Sequence, residues 1–91
     1  MSAPIDADRL ARAVWLDVKA VAPGRYLVSG GADSHVVVID GGFVRCDCID
    51  SQRVGDACKH ALACRLCGGD PIVVRALRTL VTRPTRAVRA A

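Results

Sequence analysis

All five cysteines of the chain, and one of its two histidines, fall between Arg45 and Gly68. Cys46 and Cys48 form a C-x-C pair, and after nine intervening residues Cys58 and His60 form a C-x-H pair. Thiolate sulfur and imidazole nitrogen are the donors that Zn²⁺ takes in tetrahedral sites, so two such pairs suit one ion. Four protein donors close the coordination sphere. A closed site is structural and offers no open position to a substrate. Helix geometry adds a condition, because residues i and i+2 of a regular helix diverge by about 200°. Cys58 must therefore lie at or before a first turn, with His60 just inside it, where the helix terminus also favours thiolate.

Cys64 and Cys67 leave rival donor sets open. His60 and Cys64 are four residues apart and could complete a site with Cys46 and Cys48. Cys64-Arg65-Leu66-Cys67 is a C-x-x-C that could make a four-cysteine site with the same first pair. The plain alternative is that Cys64 and Cys67 are small buried apolar residues. An enzyme is a further class. Cys58 with His60 can be drawn as a thiol and its base, and the C-x-C or C-x-x-C pair as a redox couple. Neighbours at i and i+2 orient poorly for the first, and no third orienting group is visible. His35, just ahead of a valine run, reads as a surface or strand-end histidine.

Placing these donors requires a particular frame. Ala7, Leu10, Val14, Val18 and Val21 recur at helical spacing and predict an N-terminal helix over residues 5–21, closed by Pro23-Gly24. Trp15 and Leu16 fall on the flanks of its apolar face. Residues 25–29 predict a strand, and Gly30 to Asp33 a turn. The β-branched run Val36 to Ile39 predicts a second strand over 34–40, and its lack of alternation implies that both sheet faces are covered, one of them by the N-terminal helix. Asp40-Gly41-Gly42 predicts a tight hairpin into a third strand, Phe43 to Arg45, which delivers Cys46. A polar loop over 49–57 separates the donor pairs, with Gly55 permitting a turn that a side chain would block. A helix follows over 58–67, stopped by Gly68-Gly69. Asp70 as cap and Pro71 as first residue predict a C-terminal helix over 70–83. Residues 84–91 read as a basic tail.

At 91 residues the chain is one small domain, 1–91. Its hydrophobic fraction is 52%, yet aromatic residues make up only 3%, so the core is thin and a metal would matter to it. Structural zinc supplies on the order of 10 kcal/mol or more in small domains. No apolar run is long enough to span a membrane. Acidic residues in Met1 to Asp8 argue against a secretory signal, which points to a reducing, cytoplasmic setting where thiols stay free for metal. Residues 1–70 carry nine acids against eight bases, whereas residues 71–91 carry five arginines and no acid. That asymmetry signals interaction and does not prove nucleic-acid binding.

The order C-x-C, variable gap, C-x-H resembles the SWIM zinc finger over roughly residues 25–67. Agreement extends to Gly55, three residues before Cys58, to the run Cys58-Lys59-His60-Ala61-Leu62-Ala63, and to strands between Tyr26 and Cys46. The resemblance implies Cys46, Cys48 and Cys58 as thiolate ligands, His60 as nitrogen ligand and one Zn²⁺ per chain. Because the family pattern ends at His60, it favours Cys64 and Cys67 as core residues. The fold expected is a small zinc-stabilised α+β domain: a short antiparallel β-meander followed by a helix, with flanking N- and C-terminal helices. Fingers of this kind occur in transposase-like, chromatin-remodelling, recombination-linked and ubiquitin-pathway proteins. What the resemblance implies is therefore a non-catalytic module that binds DNA or another protein, with no small-molecule substrate and no membrane. The flanking helices could also supply a homodimer face. Arg53, Lys59 and Arg65 beside the metal pairs, with Arg75, Arg78, Arg83, Arg86 and Arg89, are the nucleic-acid candidates, although Asp47, Asp50 and Asp56 dilute the first group.

Overall fold

In the computed structural model, which describes residues 4–30 and 33–82, the chain runs α1 (Ala7–Ala13), β1 (Asp17–Ala22), β2 (Arg25–Gly30), β3 (Asp33–Asp40), β4 (Phe43–Cys46), α2 (Ser51–Val54), a 3-10 turn (Gly55–Ala57), α3 (Lys59–Cys67) and α4 (Pro71–Thr82). The four strands form one antiparallel sheet in the order β1-β2-β3-β4. Arg83, Arg86 and Arg89, and the basic tail expected over 84–91, lie outside the described residues, as do Gly31 and Ala32 of the expected turn.

The helix expected over 5–21 is corrected by this topology. Only Ala7–Ala13 is helical, capped by Asp6, whose carboxylate accepts from the Arg9 amide at 3.0 Å. From Asp17 the chain is a strand, with Val18 opposite Val28 and Ala20 opposite Tyr26. Pro23-Gly24 is not a helix stop but the turn of a hairpin. Gly24 has φ +71°, and proline followed by glycine suits the central positions of a type II turn. A Cβ at Gly24 would stand 2.6 Å from the Ile39 carbonyl oxygen, so the adjoining strand also demands glycine. The β-branched valines at 18 and 21 cost a helix χ1 freedom and suit a pleated strand, and pairing with β2 tips the balance, whereas Val14 stays at the C-cap of α1.

Strand register sorts the side chains. Val18, Val28, Val37, Ile39, Val44 and Cys46 point to one face, where α1, α3 and α4 pack. The core there joins Leu10, Ala13, Val28, Val37, Leu62, Ala63, Cys64 and Val73. Each buried Leu or Val contributes about 1.5–3 kcal/mol relative to exposure. The opposite face carries Lys19, Arg25, Leu27, Val36, Val38, Phe43 and Arg45, and no helix among the described residues lies on it. The expectation that the valine run is covered on both sides is thus overturned, because α1 packs on the same side as α3. Gly41 and Gly42 both have positive φ in the two-residue turn between Asp40 and Phe43, which matches the strand twist.

Two helix ends are set locally. At the end of α3, Gly69 takes φ +77° while the Asp70 amide donates to the Arg65 carbonyl at 2.9 Å and the Gly69 amide to Leu66 at 3.0 Å, a Schellman closure. Asp70 then caps α4 through the Ile72 amide at 3.0 Å. No helix among the described residues is long and apolar enough to cross a membrane.

Candidate metal centre

β4 ends at Cys46, and Cys48 follows beyond the strand. The knuckle between them is held from two sides. The Asp47 amide donates to the Val36 carbonyl at 3.3 Å. Ser51 Oγ lies 2.8 and 2.7 Å from the carbonyl oxygens of Cys46 and Cys48, so its single proton is shared between them. The segment expected as a polar loop over 49–57 is instead the short helix α2 followed by the 3-10 turn, with Gly55 at φ +60° between them.

Cys58 stands at the cap position of α3, in extended conformation, and its sulfur accepts the Ala61 amide at 3.3 Å. His60 is the second residue of that helix. This placement satisfies the geometric condition set by the C-x-H spacing. The donor atoms of Cys46, Cys48, Cys58 and His60 all lie within 4.8 Å of one another. Tetrahedral sulfur ligands about 2.3 Å from zinc stand about 3.7 Å apart, so the cluster needs little contraction to enclose an ion.

The electrostatics describe a site short of a positive charge. Interaction between the Cys46 and Cys58 sulfurs draws Cys58 down toward thiolate and pushes the Cys46 thiol up. Burial lowers the pKa of His60, so the imidazole favours the neutral form that ligates metal. His60 Nδ1 is itself buried with no hydrogen-bond partner among the described residues. An orphaned ring nitrogen beside three crowded thiols is the arrangement a soft-to-borderline cation satisfies. A groove of about 630 Å³ lies between α1 and α4 at Leu10, Arg75 and Thr79, away from this cluster.

Two arginines brace the segment between the donor pairs. Arg9 of α1 makes a bidentate pair with Asp50, at 2.7 and 2.8 Å, where the segment begins. Arg65 of α3 reaches the Asp56 carbonyl at 2.9 Å, where it ends, and the Asp70 carboxylate at 2.8 Å. Arg65 is only 5% exposed, which removes it from the candidate nucleic-acid surface. Its charge is spent inside the fold, on a cap and a carbonyl that a sequence reading cannot pair with it. Of the other basic candidates, Arg53, Arg75 and Arg78 are exposed, and Lys59 is half-buried beside a groove lined with Asp6, Asp8 and Asp50.

Cys64 is buried in the apolar core, and desolvation pushes its thiol up to about 12, the opposite of an activated ligand. Cys67 is exposed, which corrects the expectation that it is a core residue. His35 is the residue that sequence reasoning missed. It sits on the inner sheet face, two positions from buried Val37, with its ring centroid 4.3 Å from that of His60 and its Nδ1 donating to Asp47 at 2.8 Å. Counting the strand alternation back from Val37 is the signal that places it inward.

Three thiols and one imidazole converge here, three of the four buried, as a donor set that fits one zinc ion. Among known families, the model of the SWIM zinc finger matches residues 26–63 of the chain. No curated protein and no solved structure matches it.

Proposed function

We propose, from the match of residues 26–63 to the SWIM zinc finger, that Cys46, Cys48, Cys58 and His60 hold one Zn²⁺ in a closed site and that the protein is a non-catalytic docking module, with a protein as its first class of partner. The observation that supports docking to protein is the fate of the aromatic residues. Of only three, Trp15 is 85% and Phe43 75% exposed. In a chain with so little aromatic area, leaving two of three in water favours an interface anchor over a core role. Asp17 lies two residues from Trp15, and Asp40 is the strand partner of Phe43, so negative charge adjoins both. At Trp15 that charge disfavours a phosphate backbone, whereas Phe43 also has Arg45 beside it on the same sheet face.

DNA binding is the second reading, resting on Arg53, Lys59, Arg75 and Arg78 with Arg83, Arg86 and Arg89. Contacts from Arg75, Arg78, Arg83, Arg86 and Arg89 to five phosphates would give log K a slope against log salt of about −4.5 on duplex DNA. Titrating duplex and single-stranded DNA at two salt concentrations separates the readings. Absence of salt-sensitive binding removes DNA, whereas a slope near that value, reduced to about −2.7 when Arg75 and Arg78 become Ala, replaces protein as the leading partner.

A further inference from the structure

We propose that His35 and Asp47 act as a positioning pair for the metal centre, fixing the His60 imidazole and closing the strand side of the site. The inference rests on the reading of Cys46, Cys48, Cys58 and His60 as zinc ligands and adds two residues that the ligand pattern does not contain.

Geometry carries it. His35 comes from β3, His60 from α3 and Asp47 from the knuckle after β4, so three separate parts of the fold meet at one point. The two imidazole rings lie 4.3 Å apart between centroids, tilted by 42°. The His35 ring is not free to turn, because its Nδ1 donates to Asp47 Oδ1 at 2.8 Å. Asp47 is the residue between the ligands Cys46 and Cys48, and its own amide is tied to Val36 on β3, next to His35. Asp47 Oδ1 stands 4.0 Å from Cys46 Sγ. His60 is 7% exposed and its Nδ1 has no hydrogen-bond partner in the described structure, so beside the Cys58 sulfur the His35 ring is the contact that limits its rotation. A side chain that holds a ligand in its productive rotamer raises metal affinity by reducing the disorder lost on binding, and such supporting residues are worth about 10–100-fold in affinity.

The alternative chemistry is that His35 ligates directly. His35, Cys46 and Asp47 also place donor atoms within 4.8 Å of one another. Two of those three are already engaged with each other, and Cys46 belongs to the first set. This favours a supporting role over a second ion.

The experiment uses the full chain, loaded with zinc or with Co²⁺. Zinc release to a chromogenic chelator, the cobalt d–d spectrum and thermal unfolding are measured for wild type, His35→Ala, His35→Gln, Asp47→Ala, Asp47→Asn and the double alanine variant. The pair predicts one zinc per chain throughout, with zinc retention about tenfold or more weaker in each single alanine variant and a changed cobalt spectrum. The double variant should be little worse than either single one, since the two residues act together. Asp47→Asn, which still accepts from His35, should keep most of the retention. Should His35→Ala fail to fold, His35→Gln, which keeps a donor to Asp47 but no ring, reads the ring contact alone. Unchanged zinc release and cobalt spectrum in His35→Ala or His35→Gln, even with a lower melting temperature, would overturn the proposal. So would two zinc ions in wild type with one lost in His35→Ala. A wild-type protein without tight zinc binding would instead refute the underlying ligand assignment.

Discussion

Helix α3 divides its side chains between two buried clusters that are held by different forces. Leu62, Ala63 and Cys64 join Leu10, Ala13, Val28, Val37 and Val73 in an apolar cluster, where expulsion of water is sufficient. Ala61, one residue earlier, joins Cys48 and Cys58, with Cys46, Val44 and Val54 against them. In this second cluster little apolar area is available, and the buried groups are donors that repel or orphan one another until a cation enters. The contrast explains why α3 is buried on all sides from His60 to Arg65, while α4 presents one buried residue, Val73, and a mostly exposed remainder. A helix with a donor cluster at its mouth and a core along its length has no solvent face to spare.

Taking the cation away should separate the two clusters most severely. Excess chelator should unfold the domain at 25 °C by far-UV circular dichroism, because about 10 kcal/mol of apparent metal free energy is comparable with the whole stability of a small domain. A cooperative unfolding transition surviving in chelator would mean that the apolar cluster stands alone. Next in size is the apolar cluster itself. Leu62→Ala should cost about 2–5 kcal/mol in urea unfolding of the zinc-loaded protein while zinc content stays constant. Loss of zinc in that variant would show that the clusters are not separable. Arg65→Ala, at the end of α3 remote from His60, should cost about 3 kcal/mol, since it leaves the Asp70 carboxylate and the Asp56 carbonyl without their partner.

The smallest effect is a pH dependence. Arg65 beside Asp70 holds that carboxyl below the ordinary carboxylate range. A depressed folded pKa means stability that is present above the unfolded value, near 3.9, and lost as pH falls through the folded one. Asp70→Asn should therefore be less stable than wild type at pH 7, with the gap closing below about pH 4. A gap that widens on acidification would contradict that linkage.

Much of this arrangement was legible in the residues. The C-x-C and C-x-H spacings carry the donor cluster, because coordination chemistry restricts which side chains can converge. The glycines at 41, 42 and 55 mark turns that only positive φ permits. Asp70-Pro71 marks the start of α4, because a cap is a local bond. What failed was non-local. Val14, Val18 and Val21 fit a helical stripe, yet Val18 lies in a strand whose stability comes from hydrogen bonds to β2 that no local pattern records. Arg65 read as surface because its partners, Asp56 and Asp70, are assigned only by the packing of α3. His35 read as peripheral because its ring meets His60 across twenty-five residues of chain. The outward valines of β3 read as core because a β-branched run looks alike whether or not its second face is covered.

The central claim is that one cation sits among Cys46, Cys48, Cys58 and His60 and not among the rival cysteines. Zinc content per chain by elemental analysis tests it most directly, on wild type, Cys58→Ala and Cys64→Ala purified side by side. The expected values are one, none and one, with Cys64→Ala merely less stable. Well-folded wild type containing no metal, or equal loss of zinc in the Cys58 and Cys64 variants, would contradict it.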